Sequence, residues 1–219
     1  MGSGKPDGDS SSPSDNPCIS ALEKGGARGE QLRVELSDGS SFFISALLAF
    51  RQSLKAGDPL SPEQVLLLQE ESLRLEAEKK ALGLLARAPH SVQALRRKLY
   101  QRRLPAQAVE RAVDGLIAAG LLNDEDYARE WIQLRLRRHP EGKPALIAGL
   151  RQHGVDRETA ERVTHELVSF PVELESARCL ADKLRRRSAC EAEELAERLR
   201  VRTFAPAVIA QLLEELSEL

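Results

Sequence analysis

The chain has 219 residues, of which 42% are hydrophobic and only 4% aromatic, so it can form one or two domains with cores of Leu, Ala and Val. Its 32 basic and 34 acidic residues nearly cancel, which argues against a uniformly basic nucleic-acid-binding protein. Three cysteines without a CxxC pair argue against a disulfide framework or a zinc site, and no apolar run reaches the roughly 20 residues of a membrane span. Without a hydrophobic N-terminal signal either, we expect a cytoplasmic protein.

The first sixty residues combine a polar tail with a small β region. Residues 1–17 are rich in Gly, Ser, Pro and Asp, so we expect a disordered tail. Within 18–60, Ile19–Lys24 is compatible with a short strand, and Gln31–Leu36 and Ser41–Ser45 flank an Asp-Gly turn typical of a β-hairpin. We expect this hairpin to pack against a helix over Ala46–Leu54.

A helical region follows from Ser61. Ser61, Pro62 and Gln64 form a capping box, and the helical pattern continues toward Ala88; whether it breaks within 76–80 is left open by the sequence. Two more amphipathic helices follow, the first capped by Ser91 and the second opened by Pro105 and ended by Gly120. The predicted apolar positions of these three helices are Leu82, Leu85, Ala86, Leu95, Leu99, Val109, Ala112, Val113 and Leu116.

This three-helix pattern recurs twice along the chain. Four sets of apolar residues keep one register, with offsets of 51 and then 49 positions: Leu95, Leu146 and Leu195; Leu99, Leu150 and Leu199; Leu104, Val155 and Phe204; Leu116, Leu167 and Leu216. Such a period indicates stacked helical repeats. We therefore predict a mainly α fold in which three tandem three-helix repeats (61–122, 123–169 and 170–219) form an elongated curved array after a small β-hairpin and helix region.

The helices of the second and third repeats are predicted from the same signals. In repeat two, Asn123 or Asp124 caps a helix with Tyr127, Ala128, Trp131 and Leu134 on its apolar face; Pro144–Gln152 and a helix capped by Asp156 follow. In repeat three, Ala177, Leu180, Ala181 and Leu184 form the core face of the first helix, and the other helices span Cys190–Arg202 and Pro206–Leu219.

Residue patterns typical of catalysis or metal binding are missing from the sequence. The run Asp124, Glu125 and Asp126 could suggest a divalent metal, but consecutive helical residues point about 100° apart, so helix capping explains it better. The four histidines have no HExxH spacing and no Cys neighbours, and there is no GxxxxGK[ST] or GxGxxG motif. We predict no enzyme activity, cofactor or metal. Trp131 and Tyr127 could stack on bases, although core packing is the simpler interpretation.

Basic residues are the best candidates for a binding role. They form three clusters, which are Arg96, Arg97, Lys98, Arg102 and Arg103; Arg135, Arg137, Arg138 and Lys143; and Lys183, Arg185, Arg186 and Arg187. If the clusters recur with the repeat, they form a stripe suited to a helical polymer or a nucleic-acid backbone. Plain solvent exposure of helix faces is the alternative.

Several of these segments resemble the RecX family of regulatory proteins. The resemblance lies in Ala81–Arg87, His90-Ser91, Leu95–Leu99, Gly120–Ala128, Arg135–Arg138, Leu146–Leu150 and Gly154-Val155, and it covers about Leu75–Leu219. It implies a modulator, usually an inhibitor, of the RecA recombinase in homologous recombination, DNA repair and the SOS response. Such a protein lies in the groove of the RecA–single-stranded DNA filament, and the resemblance implies the same for this chain. We expect the protein to be a monomer. The loop His139–Pro144 departs from the often basic, glycine-rich loop of the family.

Two other functions remain open at this stage. A stand-alone DNA-binding helical protein would bind DNA without RecA and with a steep salt dependence. A structural helical adaptor would bind an unrelated partner and ignore DNA.

Overall fold

The computed structural model describes residues 16–25, 30–186 and 191–217. Contacts between residues divide the chain into two compact units. The first contains the chain up to Lys79 together with Pro105–Ala108, and the second contains Lys80–Leu104 and Val109–Leu219. The predicted tail over 1–17 lies outside the described residues up to residue 15.

The first unit contains a three-stranded antiparallel sheet. Strands β1 (Ile19–Gly25), β2 (Gln31–Leu36) and β3 (Ser41–Ser45) lie in the order β1-β2-β3. The turn between β2 and β3 contains Gly39 at φ +83°, a left-handed conformation that glycine adopts without steric cost. The predicted hairpin is confirmed, and the short first strand completes a meander with it.

One face of this sheet packs against helices of the same unit. Val34 and Ile44 are fully buried on that face, in a cluster that includes Leu68. Helix α1 (Ala46–Arg51) is capped by the Ser45 hydroxyl, which accepts from Leu48 N–H at 3.2 Å. The predicted end at Leu54 was wrong, because the chain leaves the helical conformation at Ser53, whose φ is +52°.

Helix α2 (Pro62–Leu85) is one continuous element of 24 residues. The predicted capping box is present: the Ser61 hydroxyl accepts from Gln64 N–H at 3.3 Å, and Gln64 Oε1 accepts from Ser61 N–H at 2.8 Å. Arg74 reinforces the helix through ion pairs at 2.8 Å to Glu71 and Glu78. The helix therefore has no break at 76–80.

Eight further helices follow α2 within the described residues. They are α3 (Val92–Tyr100), α4 (Ala106–Ala118), α5 (Asp124–Arg138), α6 (Lys143–Gln152), α7 (Arg157–Leu167), α8 (Phe170–Arg185), α9 (Ala192–Val201) and α10 (Pro206–Ser217). Repeat one thus consists of the end of α2 with α3 and α4, repeat two of α5–α7, and repeat three of α8–α10. The predicted class, mainly helical with three-helix repeats and a small N-terminal β region, is confirmed.

The repeat register is visible in the packing and in the backbone. Of the four sets of equivalent apolar residues, the first three are entirely buried, whereas Leu167 and Leu216 of the fourth are partly buried. The second helix of each repeat begins after an equivalent N-cap residue, namely Ser91, Gly142 and Glu191. It ends before an equivalent left-handed residue, namely Arg103, Gly154 and Thr203 with φ of 59°, 90° and 59°. The same local conformation therefore ends the second helix three times.

Two predicted apolar faces each include a leucine that the structure leaves exposed. In α2, Leu82 is 41% exposed, whereas Ala81 and Leu84 are buried. In α5, Leu134 is 45% exposed and Ile132 is fully buried. Neighbouring positions differ by about 100° around a helix, so an error of one or two positions moves a side chain from the core to solvent.

The remaining boundaries differ only slightly from prediction. Helix α9 begins at Ala192, and the predicted start at Cys190 lies outside the described residues. Helix α4 begins at Ala106, one residue after Pro105. No helix in the described ranges combines the length and apolar character needed to cross a bilayer.

Candidate functional site

Polar groups around the buried Ser91 make hydrogen bonds between repeats one and two. The Ser91 hydroxyl, fully buried, accepts from Ala94 N–H at 3.2 Å and donates to the His153 carbonyl of repeat two at 2.5 Å. Asp124 Oδ1 accepts from Val92 N–H at 2.8 Å. Burial raises the pKa of the Asp124 carboxyl, and the Val92 hydrogen bond opposes this shift. Asp124 of repeat two and Ser91 thus each accept from one of the free N–H groups at the N-terminus of α3.

Equivalent positions make the contact between repeats two and three. Gly142 N–H donates to the Arg202 carbonyl at 2.9 Å, and Ala145 N–H donates to the Thr203 hydroxyl at 3.1 Å. Gly142 and Arg202 correspond in register to Ser91 and His153. The chain therefore uses one kind of junction twice, between the start of a second helix and the end of the next repeat's second helix.

A carboxylate supports each of the two junctions. Glu173, which is equivalent to Asp124, is 2% exposed and accepts from Ala205 N–H at 3.1 Å. Its other oxygen lies 3.8 Å from the ammonium of Lys143, and Lys143 is equivalent to Val92. In both junctions an acidic residue in the first turn of a repeat therefore faces the start of the preceding repeat's second helix.

Three of the predicted basic residues take part in contacts within the chain. Arg96 pairs with Glu110 at 2.9 Å, and Lys143 faces the buried Glu173. Arg135 binds Glu141 through two nitrogens, at 2.5 and 3.2 Å, and its guanidinium lies 5.7 Å from the Trp131 ring. These three cations are already engaged, so they are weaker candidates for an external ligand.

The other predicted cations are more available. Lys98 is half-buried with its ammonium 3.3 Å from His90 Nε2, and burial together with Lys98 lowers the pKa of His90. The eight that remain are exposed and make no ion pair within the described residues: Arg97, Arg102, Arg103, Arg137, Arg138, Lys183, Arg185 and Arg186. Arg187 lies outside the described residues.

The three predicted clusters do not occupy equivalent repeat positions. The second and third clusters share one position in the repeat register. Arg138, at the end of the first helix of repeat two, is aligned with residue 187 of repeat three. Repeat one has only Arg87 at that place. The first cluster lies instead on the second helix, where repeat two has mainly apolar residues. The predicted regular stripe therefore needs correction: the shared basic position is the end of the first helix.

Cations from both later repeats meet in one basic concavity. Arg138 at the end of α5, Lys183 on α8 and Arg202 after α9 line a cavity of 350 Å³, with His139, Pro140, Leu180 and Leu184. Each of the three cations is exposed and none has an ion-pair partner among the residues described. Like charges brought together repel one another, so an anion placed between them is stabilised. Arg202 was not among the predicted cations, although the repeat register, which aligns it with Arg102, could have identified it.

The aromatic pair of repeat two is part of its core. Trp131 and Tyr127 pack against the buried cluster of that repeat, as the core interpretation predicts. The Trp131 ring lies 5.6 Å from the His153 ring, and a Cβ added at Gly149 would approach within 2.4 Å of the indole. With its surroundings so occupied, the indole is a poor platform for base stacking.

The acidic run of repeat two has structural partners. Asn123 caps α5 by accepting from Glu125 N–H at 2.9 Å, and Asp124 serves the junction. Glu125 accepts a hydrogen bond from Arg162, which lowers its pKa, and Asp126 lies 3.7 Å from Arg129. Within the described ranges, no three His, Cys, Asp or Glu side chains are grouped to hold a metal ion. Capping and ion pairing account for the whole run.

Comparison with known proteins matches two segments of the chain to one family. The RecX first three-helix domain matches residues 77–116, and the RecX second three-helix domain matches residues 123–163. The first range lies within repeat one and the second within repeat two.

Relatives and solved structures bear the same name. A "Regulatory protein RecX" of Mycobacterium sp. (strain JLS) is 36% identical over 89 residues, covering 41% of this chain and 49% of that protein. The chain thus spans about half the length of the mycobacterial relatives that it matches. Another, from Clostridioides difficile (strain 630), is 28% identical over 153 residues, covering 69% and 71% of the two chains.

Two crystal structures share the fold. One of a regulatory protein RecX matches with a TM-score of 0.75 and 20% identity, over 90% of this chain and 99% of its own. RecX from Lactobacillus salivarius matches with a TM-score of 0.61 and 20% identity, over 67% of this chain and 98% of its own. The two domain matches and the relatives, together with the shared fold, therefore all support a RecX family protein.

Proposed function

We propose that this protein binds the RecA–single-stranded DNA filament and regulates it, most simply by inhibiting filament assembly, ATP hydrolysis and strand exchange. The observation that carries the proposal is the basic concavity of Arg138, Lys183 and Arg202 in a chain of the RecX family. A filament with DNA along its axis presents phosphates at regular intervals. Three exposed cations that have no ion-pair partner among the described residues suit neighbouring phosphodiester groups of the strand.

The two junctions support a multivalent mode of binding. Because each junction uses two hydrogen bonds between repeats, the repeats hold their cations in fixed relative positions. Arg97, Arg102 and Arg103 of repeat one and the basic concavity then contact the filament at separate points. Such multivalent contact raises the apparent affinity without any single strong site. We further propose that the protein acts in the cytoplasm as a monomer, and without a cofactor or catalysis of its own.

The test is the single-stranded-DNA-dependent ATPase activity of the cognate RecA, titrated with this protein. We expect loss of activity with wild-type protein, and a clear loss of inhibition when Arg138, Lys183 and Arg202 are changed together to Ser. Binding of the protein to filaments should also become less salt-dependent. With about 0.7 counter-ions released per phosphate contact on a single strand, losing three contacts reduces the slope of log K against log salt by about 2.

A matched control changes three other exposed cations. Arg51, Lys55 and Lys79 lie in the first unit, have exposed side chains and make no ion pair among the described residues, so changing them to Ser alters the net charge equally. This control variant should inhibit like wild type. Equal inhibition by both variants would exclude the basic concavity as a contact.

The same titration separates the two alternative functions. Tight, salt-dependent binding to bare DNA with no effect on RecA would support a stand-alone DNA-binding protein. No binding to either bare DNA or filament would leave a structural adaptor as the better description.

A further inference from the structure

A second depression, the apolar groove, lies at the junction of repeats two and three. It has a volume of 790 Å³, and its apolar lining is Pro144, Ile147 and Ala148 of α6 with Phe204, Ala205 and Pro206 at the start of α10. A concave, mainly apolar surface with a few polar groups at its edge is the usual form of a binding site.

The charged side chains around the apolar groove differ in whether they already have a partner within the protein. Glu173 is buried and bonded to Ala205 N–H, and Glu161 pairs with Arg157 at 2.7 Å. Arg151, by contrast, is exposed and forms no ion pair in the described part of the chain. The groove therefore offers an apolar floor beside one available guanidinium, a combination that suits an apolar side chain next to a carboxylate.

The corresponding groove between repeats one and two is more polar. It has a volume of 530 Å³, shares Ala148 and Arg151 with the apolar groove, and contains Gln93, Asp156 and Arg157 at the positions that Pro144, Ala205 and Pro206 occupy in the apolar groove. The junction itself does not require an apolar groove, because the first junction is built without one. The three exchanges from polar to apolar side chains are thus particular to repeats two and three.

We propose that the apolar groove docks a short segment of a protein partner in which an apolar side chain is followed by a carboxylate. The apolar side chain lies against Pro144, Ile147 and Phe204, and the carboxylate binds Arg151. This inference rests on the proposed function, in which the partner is a RecA protomer of the filament. The groove then contacts protein while the basic concavity contacts DNA, so that one molecule bridges the two components.

Two substitutions test the groove. Ala148→Trp fills it from an exposed position on α6, and Arg151→Glu reverses the available charge. Binding is measured on preassembled RecA–single-stranded DNA filaments and, separately, on bare single-stranded DNA. We expect Ala148→Trp to weaken filament binding at least 10-fold and Arg151→Glu about 10-fold. Each variant removes a central contact with the partner, and loss of such a contact typically has an effect of this size. Arg151→Lys should keep most of the affinity, and bare-DNA binding should be unchanged in all three.

The control is Ala119→Trp, which places the same indole on an exposed residue after α4. It should bind filaments like wild type, and circular dichroism should be native for every variant. Wild-type filament affinity in both Ala148→Trp and Arg151→Glu would overturn the groove proposal. An equal loss on bare DNA would also overturn it, by making the groove a DNA contact. Failure of the wild-type protein to bind filaments would instead refute the proposed function.

Discussion

Replacement of Gly142 by Ala tests the junction between repeats two and three most directly. A Cβ at this position would lie 2.0 Å from the Thr203 carbonyl oxygen and 2.7 Å from Phe204 N, where ordinary contacts begin at 3.4 Å. The repeats must therefore separate by more than 1 Å. Overpacking of this kind costs about 1–3 kcal/mol.

Two hydrogen bonds are stretched by the same movement. They are those from Gly142 N–H to the Arg202 carbonyl and from Ala145 N–H to the Thr203 hydroxyl, each worth about 1 kcal/mol. Together with the overpacking, we expect Gly142→Ala to lower the free energy of unfolding by about 4 kcal/mol, measured by urea denaturation followed by circular dichroism at 222 nm.

The matched control is the same substitution at Gly115. This residue lies inside α4, is exposed, and a Cβ there would have no atom within 4 Å. Alanine is the better helix former, so Gly115→Ala should raise the stability by about 0.5–1 kcal/mol. A loss below about 1 kcal/mol in Gly142→Ala, or an equal loss in both variants, would refute the tight junction.

Two further predictions concern the junction between repeats one and two. Ser91→Ala removes the cap on α3 and the bond to the His153 carbonyl, so urea denaturation should give a loss of about 2 kcal/mol; Ser169→Ala, at an N-cap whose hydroxyl makes no capping bond, should change stability by less than about 0.5 kcal/mol. Burial raises the pKa of folded Asp124 above its unfolded value, so ionisation of this carboxyl as the pH rises costs stability. Asp124→Asn keeps an acceptor for Val92 N–H without this titration. The free energy of unfolding of Asp124→Asn minus that of wild type should therefore be larger at pH 7 than at pH 4. A difference independent of pH would contradict this.

Local signals predicted the elements well, and the reason is physical. The caps Ser91, Asn123 and Asp156 act on amides two or three residues away, so their effect is contained in a short stretch of sequence. The strands Gln31–Leu36 and Ser41–Ser45 were likewise predicted with their exact bounds, because an Asp-Gly turn sets the register of its flanking strands.

Whether a cation forms an ion pair within the protein depends instead on residues that are far away in the sequence. Arg96 pairs with Glu110 across two helices, and Lys143 with Glu173 across two repeats. Charge counting along the chain cannot distinguish such residues from Arg138, which has no ion-pair partner among the described residues. The repeat register contains part of the missing information, since it aligns Asp124 with Glu173 and so relates the two junctions before any coordinates are known.

The packing of Trp131 on Gly149 has a practical consequence for spectroscopy. It is the only tryptophan of the chain, and it packs against the core of repeat two, 5.6 Å from the His153 ring. Intrinsic fluorescence excited at the indole band therefore reports the environment of one repeat among three. If an outer repeat melts first, the emission spectrum stays native, so fluorescence isolates the middle of the chain from its ends.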